Sequence, residues 1–277
     1  MSFMLFGMSG DEPAVYDVDA QAYFSAVVAA GDALTTPQKV AVNTFVLSQK
    51  NGANGAWSRC PYIWPKLGTS LLGAAVALKG NQPLTLSCGY SSARGLQFDG
   101  VAQYADCGLV PAAMGLTVLN QSISAYLANM STVGATQRVP CGCLDGADQQ
   151  MRFVPNYGMS GVSQSVMSGS SSGAISVAAP GNLNGWWCSN RTATKLSLVM
   201  GNSIIGFSTL GTNAASVGAV PTVSNVNIGC ESDVGVRDNF TLCDARFFHV
   251  GFGMSDAQLL QLYLDVQTLQ TSLGRQV

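Results

Sequence analysis

The residues of this chain that could do chemistry are few, and their spacing narrows the options. There are two glutamates, Glu12 and Glu231, and one histidine, His249. The stretch Glu231-Ser232-Asp233-Val234-Gly235 begins the Glu-x-Asp-x-Glu pattern that places carboxylates on one strand face for glycoside hydrolysis, but the second glutamate is missing. His249 alternates with Phe248 and Val250 in "RFFHVGF", and no nucleophile elbow between a strand and a helix accompanies it. It reads as a structural strand histidine. The glycine-rich loops "NGANG" and "SGSSSG" carry no Walker lysine and are not phosphate cradles. The expectation is a chain that is not an enzyme and needs no cofactor.

Two binding chemistries remain. Calcium would suit oxygen donors in "LDGADQQ" (Asp145, Asp148) and in "CESDVGVRDN" (Glu231, Asp233, Asp238, Asn239), although ordinary solvated turns explain these acids equally well. The pair Trp186-Trp187 would offer a ring for sugar stacking, because strand alternation sends one ring outward and the other into packing. Cys141-Gly142-Cys143 is too short for an ordinary zinc half-site, and the eight cysteines contain no Cys-x-x-Cys. They read as free, buried thiols of a protein folded in a cytoplasm. The start "MSFMLFGMSGDEP" has no basic n-region, which agrees with that expectation.

Composition bounds the partners. The chain has 277 residues, 47% of them hydrophobic and only 10% charged, with a net charge of −2. An average soluble domain carries about 25% charge, so the surface must be built from uncharged polar groups or be covered by other chains. The basic residues are scattered singly, which argues against nucleic acid. No stretch reaches the ~18 apolar residues of a membrane span.

Residues 19 to 50 predict a helical hairpin. Asp19 is the expected cap of "AQAYFSAVVAA", and Thr36 with Pro37 starts the second helix. Phe24 and Val27, then Val42 and Phe45, form apolar faces that suit an assembly interface. From Trp57 onward the pattern becomes short strands with turn signals: "LTLSC", "SISAYL", "MRF", "AISV", "ARFFHVGF" and a hairpin turning at Gly201-Asn202. Residues 158–173 read as a long loop. In "GLQFDGVAQYADCG", Leu96 and Phe98 share a core face, Asp99-Gly100 turns, and a strand begins at Val101. Ser255 and Gln258 form a capping box for a terminal helix with its stripe on Leu259, Tyr263 and Val266, which leaves Leu262 or Leu264 able to lie on another side.

"GLQFDGVAQYA" resembles the early strand signature of laminin-G-like and concanavalin-like jelly rolls. With "DVDAQAYFSAV", "VNTFVLSQK", "WSRCPYIWP", "WWCSNRTATKLSLVMGNSIIGFS" and the ending "ARFFHVGFGMSDAQLLQLYLDVQTLQTSLGRQV", the chain resembles phage structural proteins that carry a concanavalin-like lectin/glucanase jelly roll. The middle, 107 to 180, departs from that pattern. The resemblance implies a mainly β jelly-roll sandwich with an N-terminal helical hairpin and a C-terminal helix. The expected divisions are 1–66 (arm and hairpin), 67–254 (sandwich) and 255–277 (helix). It implies a virion structural protein of a tailed phage, made in the host cytoplasm, a peripheral head, neck or tail component contacting other virion proteins and its own copies. The alternative is a lectin-like adhesion module that binds host glycans.

Overall fold

The computed structural model describes residues 16–131, 138–146, 149–157, 161–167, 173–214 and 218–277. Two β-sheets face each other, with strands numbered in chain order. The first holds β1 (Tyr62–Trp64), β3 (Gly89–Ser91), β4 (Gly95–Asp99), β6 (Gln121–Ala128), β11 (Gly185–Arg191), β12 (Leu196–Asn202), β13 (Gly206–Asn213) and β17 (Leu242–Gly251). They run in the order β13-β12-β11-β6-β17-β4-β3, with β1 paired to β17. The second holds β2 (Thr85–Ser87), β5 (Tyr104–Asp106), β7 (Cys141–Leu144), β8 (Gln150–Tyr157), β9 (Val162–Met167), β10 (Ile175–Ala178), β14 (Asn227–Ile228), β15 (Glu231–Asp233) and β16 (Val236–Asp238). Its order is β10-β9-β8-β7-β14-β5-β2, with β15 and β16 attached at β7. This is the expected mainly β sandwich. Its pairs are antiparallel except for β15 with β7.

Strand alternation fills the space between the sheets. Leu96, Phe98, Trp187, Leu198, Met200, Phe248 and Val250 of the first sheet meet Ala105, Cys141, Cys143, Met151, Phe153 and Ile228 of the second. Leu96 and Phe98 therefore share a core face as expected. The chain then changes sheets, because β4 belongs to the first and β5 to the second. Gly100 adopts φ +73 and Asp99 accepts the amides of Val101, Ala102 and Gln103, so these three residues complete a turn and the strand begins only at Tyr104.

The opposite face of the first sheet is covered by helices α1 (Val18–Ala29), α2 (Thr36–Asn51) and α4 (Asp256–Ser272), while α3 (Leu71–Ala75) is a short turn near β3. Asp17 caps α1, and Thr35 forms a capping box with Gln38 at α2. Each cap thus precedes its expected position, by two residues and one residue, because the cap must hold extended backbone before the first helical residue. Ser255 and Gln258 box the start of α4 as expected.

The helical hairpin is part of the core. Phe24, Val27, Val42 and Phe45 pack in one cluster with Tyr126, Trp186, Cys188, Val199 and Phe247 of the first sheet and with Leu259, Leu262, Tyr263 and Val266 of α4. These four residues are consequently not an outward assembly interface. Of Leu262 and Leu264, Leu264 is the one on another side and is exposed, while Leu262 is buried because α4 lies in the angle between α2 and the sheet and needs a broad apolar face. The segment Tyr62–Trp64, within the expected arm, pairs with β17. Two turns also moved. Asn202 pairs with Gly206, so the β12–β13 turn is Ser203 to Ile205, with the Asn202 side chain accepting the amides of Ile204 and Ile205. Within the expected loop 158–173, Val162–Met167 forms strand β9; residues 158–160 and 168–172 lie outside the described residues.

The chain's end is stitched back into the fold. Arg275 is buried and donates to the carbonyls of Lys66, Pro65 and Arg246. The Val277 amide donates to the Tyr126 hydroxyl. All eight cysteines are free thiols and seven are buried, with burial raising their pKa values.

Candidate functional site

The register of β17 against β4 sets Asp244 opposite Gln97, and its pairing with β6 sets Asp244 opposite Ala128, one residue before Asn129. Cys243 and Ala245 point into the sandwich, so Asp244 faces the other way. There the helices no longer cover the sheet, and a recess of about 380 Å³ opens. It is lined by Gly89, Arg94, Gln97, Phe98, Asp99, Gln103, Asn129, Leu242, Cys243 and Asp244.

The floor is a buried carboxylate. The Asp244 side chain is 2% exposed and that of Arg94 is 51% exposed. Arg94 Nε donates to Asp244 Oδ2 and Arg94 Nη2 to Oδ1, both at 2.9 Å, a bidentate fork. Asn129, at φ +51, donates from Nδ2 to the same Oδ2 at 2.5 Å. Gln97 turns its amide oxygen to Arg94 Nη1 at 2.7 Å. The hydrogen bonds that Asp244 accepts hold the Arg94 guanidinium above its ordinary pKa. At the rim, burial alone would raise the Asp99 carboxyl, but the amides of residues 101 to 103 outweigh it and keep the group below the usual carboxylate range. Both groups are charged at neutral pH.

Accounting for the remaining capacity shows what this arrangement can do. A guanidinium has five N–H donors, so one remains on each terminal nitrogen of Arg94. Asp244 Oδ1 takes one of the two bonds it can accept, and the Asn129 side-chain oxygen is a further acceptor. Planar donors and acceptors thus stand side by side on residues in strands β4 and β17 and on Arg94 and Asn129, which directly flank β4 and β6. That set matches groups that donate and accept at once, as vicinal hydroxyls do.

The sequence reasoning missed these residues. The available signal was "LCDARFF", where two charges interrupt an apolar strand and so demand partners. The residues it named lie elsewhere. Trp186 and Trp187 are both 0% exposed. Alternation does separate them: Trp187 stacks on Phe153 between the sheets, and Trp186 tilts against Tyr263 of α4. Because helices cover the outer face, neither ring is open to a sugar.

The acids proposed for calcium do not converge. Asp145 accepts the amides of Thr222, Val223 and Ser224 and so fixes a loop. Glu231 is buried and paired with Arg152 at 2.7 Å; burial raises its pKa, and Arg152 and Asn239 oppose that rise. Asp233 and Asp238 are exposed on the β15–β16 hairpin. Asp148 lies outside the described residues. Among the described residues no group of three or more His, Cys, Asp or Glu side chains is placed to hold a metal ion.

Two other surfaces invite comparison. On the outer face of the second sheet, register aligns Thr85, Asp106, Asn227, Gly142 and Arg152. Gly142 clears the way for the Arg152–Glu231 pair across it, since a Cβ there would stand 2.5 Å from that of Arg152. Arg237 lies 3.8 Å above the Tyr104 ring and donates to Asp106, so this band is occupied by its own network. A cleft of about 710 Å³ runs between Thr192–Lys195 and the start of α4. Its Lys195–Asp256 pair is solvent-facing, and no buried charged group forms its floor. The Asp244 recess is the better-organised site.

His249 is buried between Ser122 Oγ at 3.3 Å and Ser124 Oγ at 3.0 Å. Burial, with Lys79 nearby, pushes its pKa down to about 3. It is a neutral, sealed strand histidine.

No family model matches the chain, and no curated protein matches it. Among solved structures, it is similar to the CBM40 of a Ruminococcus gnavus IT-sialidase, at 11% identity and TM-score 0.43, over 64% of this chain and 96% of that one. It is also similar to domain 4 of AbnA, a GH43 extracellular arabinanase from Geobacillus stearothermophilus, at 12% identity and TM-score 0.38, over 74% and 98%. The NanB sialidase of Streptococcus pneumoniae matches at 9% identity and TM-score 0.36, over 65% of this chain but 28% of the sialidase.

Proposed function

We propose that this chain is a non-catalytic, lectin-like sandwich that binds a saccharide in the Asp244 recess. The carrying observation is the fork of Arg94 on the buried Asp244, with Asn129 on the same oxygen and Gln97 and Gln103 alongside. Hydroxyl pairs of a sugar ring fit this alternation of planar donors and acceptors. The site is held by strand pairing, so little ordering is needed when a ligand enters. The reading without catalysis is supported by the chemistry of the groups present: Asp244 is committed to a guanidinium, and His249 is sealed away.

A virion role stands as a second reading, favoured by the sequence resemblance at both chain ends and by the outer side of the helical layer. Val18, Val28, Val40, Leu47, Leu260 and Leu264 are exposed there. In that reading this side, rather than Phe24, Val27, Val42 and Phe45, contacts virion proteins or further copies. The two readings are compatible, since a displayed phage component that binds host glycans would use both surfaces.

The sugar reading is tested by glycan-array binding of the full chain. Binding that falls at least tenfold in Asn129→Ala, assayed well below the variant's lowered thermal midpoint, is the expected result. Binding to no saccharide at all refutes the proposal.

A further inference from the structure

The recess also carries information about which saccharides fit. This inference rests on the saccharide reading above and narrows it. Its charged lining residues are Asp99, Asp244 and Arg94. Two carboxylates face one guanidinium, whose charge Asp244 already balances and whose three bonds to Asp244 and Gln97 leave two N–H groups. Arg138 Nη1 lies 2.7 Å from the position a Cβ on Gly100 would take, close to Leu242. It is not part of the lining. Among the described residues, Lys and His are absent from the lining.

An acidic sugar needs an uncommitted cation or several spare amides for its carboxylate. Here its carboxylate would stand beside Asp244 and Asp99, opposite a guanidinium whose charge Asp244 already balances, and would lose water without recovering the interaction. A neutral ring meets no such penalty. Its hydroxyls accept from the remaining Arg94 N–H groups and donate to Asp244 Oδ1 and to the Asn129 and Gln103 amide oxygens. Among the described residues the recess holds no open aromatic face. Phe98, the lining aromatic, points into the core between the sheets and is buried. Affinity then depends on polar contacts, which select hydroxyl configuration strongly while binding weakly.

We propose that the Asp244 recess binds neutral hexose or pentose units and rejects uronic and sialic acids. The test is calorimetric titration of the full chain with galactose, glucose and arabinose, and in parallel with glucuronate and N-acetylneuraminate. Gln103→Ala serves as a second variant beside Asn129→Ala, because its side chain is half-buried at the rim and its removal leaves the Arg94–Asp244 pair in place. The expected result is binding of at least one neutral sugar, tenfold or more above either acid, and insensitive to salt between 50 and 500 mM because an uncharged ligand is not screened although the screening length changes roughly threefold. Each variant should weaken that binding at least tenfold. Preference for an acidic sugar overturns this inference and leaves the saccharide reading standing. Neutral-sugar binding unchanged in both variants overturns the site. Binding of neither class overturns the saccharide reading itself.

Discussion

Phe45→Ala separates a helical hairpin that is core from one that is a docking arm. Phe45 lies on α2, 2% exposed, with its ring edge-on to Phe247 of β17 at a centroid distance of 5.7 Å. Truncating a fully buried phenylalanine costs about 3–5 kcal/mol through lost transfer energy and the residual cavity. The aromatic pair accounts for about 0.5–1.5 kcal/mol of interaction beyond area, which places this site near 4 kcal/mol. With a urea slope of about 3 kcal/mol/M for a chain of this size, the midpoint should fall by about 1.3 M, and the thermal midpoint by about 10 °C. Leu47→Ala on the same helix, at a side chain 39% exposed, serves as the control and should cost less than about 1 kcal/mol. Tryptophan fluorescence follows the transition, because Trp186 belongs to the same cluster. A Phe45→Ala midpoint within 0.3 M of the parent, measured on the isolated chain, would show that the hairpin contributes nothing to the sandwich, and the packing argument would fail.

Three further outcomes follow from buried charges. Lys66 is fully buried, has no hydrogen-bond partner for its amine among the described residues, and lies 5.4 Å from the Trp64 ring; burial, partly opposed by Cys107 and Cys88, lowers its pKa to about 7. Between about 7 and the ordinary 10.5 the unfolded chain binds a proton that the native one does not, so stability rises with pH across that window and the penalty is full below it. Lys66→Met should therefore raise stability at pH 7 by roughly 2–4 kcal/mol, and the gap between parent and variant should close by pH 10; a constant gap in thermal midpoint would disprove the assignment. Asp32 accepts from the amides of Ala33, Thr69 and Ser70 and from both hydroxyls. Burial alone would raise its pKa, but these bonds win and lower it. Its contribution is present above pH ~4 and lost as pH falls further, so Asp32→Asn should cost about 2–4 kcal/mol at pH 7 and progressively less between pH 4 and pH 2 in acid-titrated melts. For the Arg152–Glu231 pair, Glu231→Gln exchanges a buried charge-assisted hydrogen bond for a neutral one and should cost about 1.5–3 kcal/mol in urea unfolding; an unchanged midpoint would argue against a desolvated pair.

Much of the strand content was legible because period-2 patterning is local. Leu196, Leu198 and Met200 alternate with Ser197, Val199 and Gly201, and the structure indeed turns the first three into the core between the sheets. The α4 capping box was legible for the same reason, since its partners lie three residues apart. Errors of one or two residues at the other caps and turns reflect local alternatives of similar energy, such as Thr35 and Thr36, between which packing decides.

What the sequence determined by itself was which residues share a face: Trp186 against Trp187, Phe45 with Val42, Leu96 with Phe98. Only the tertiary structure decided what each face meets. Alternation rightly separated the two tryptophans, but an outward ring is solvent-facing only if nothing covers the sheet, and here three helices from opposite ends of the chain do. The same limit hid the recess. Arg94 and Asp244 are 150 positions apart, and Asn129 lies 115 positions from Asp244. No local period links such residues. Strand register brings them together, and register is fixed by burying both faces of the first sheet at once, a global condition that no short stretch of sequence encodes.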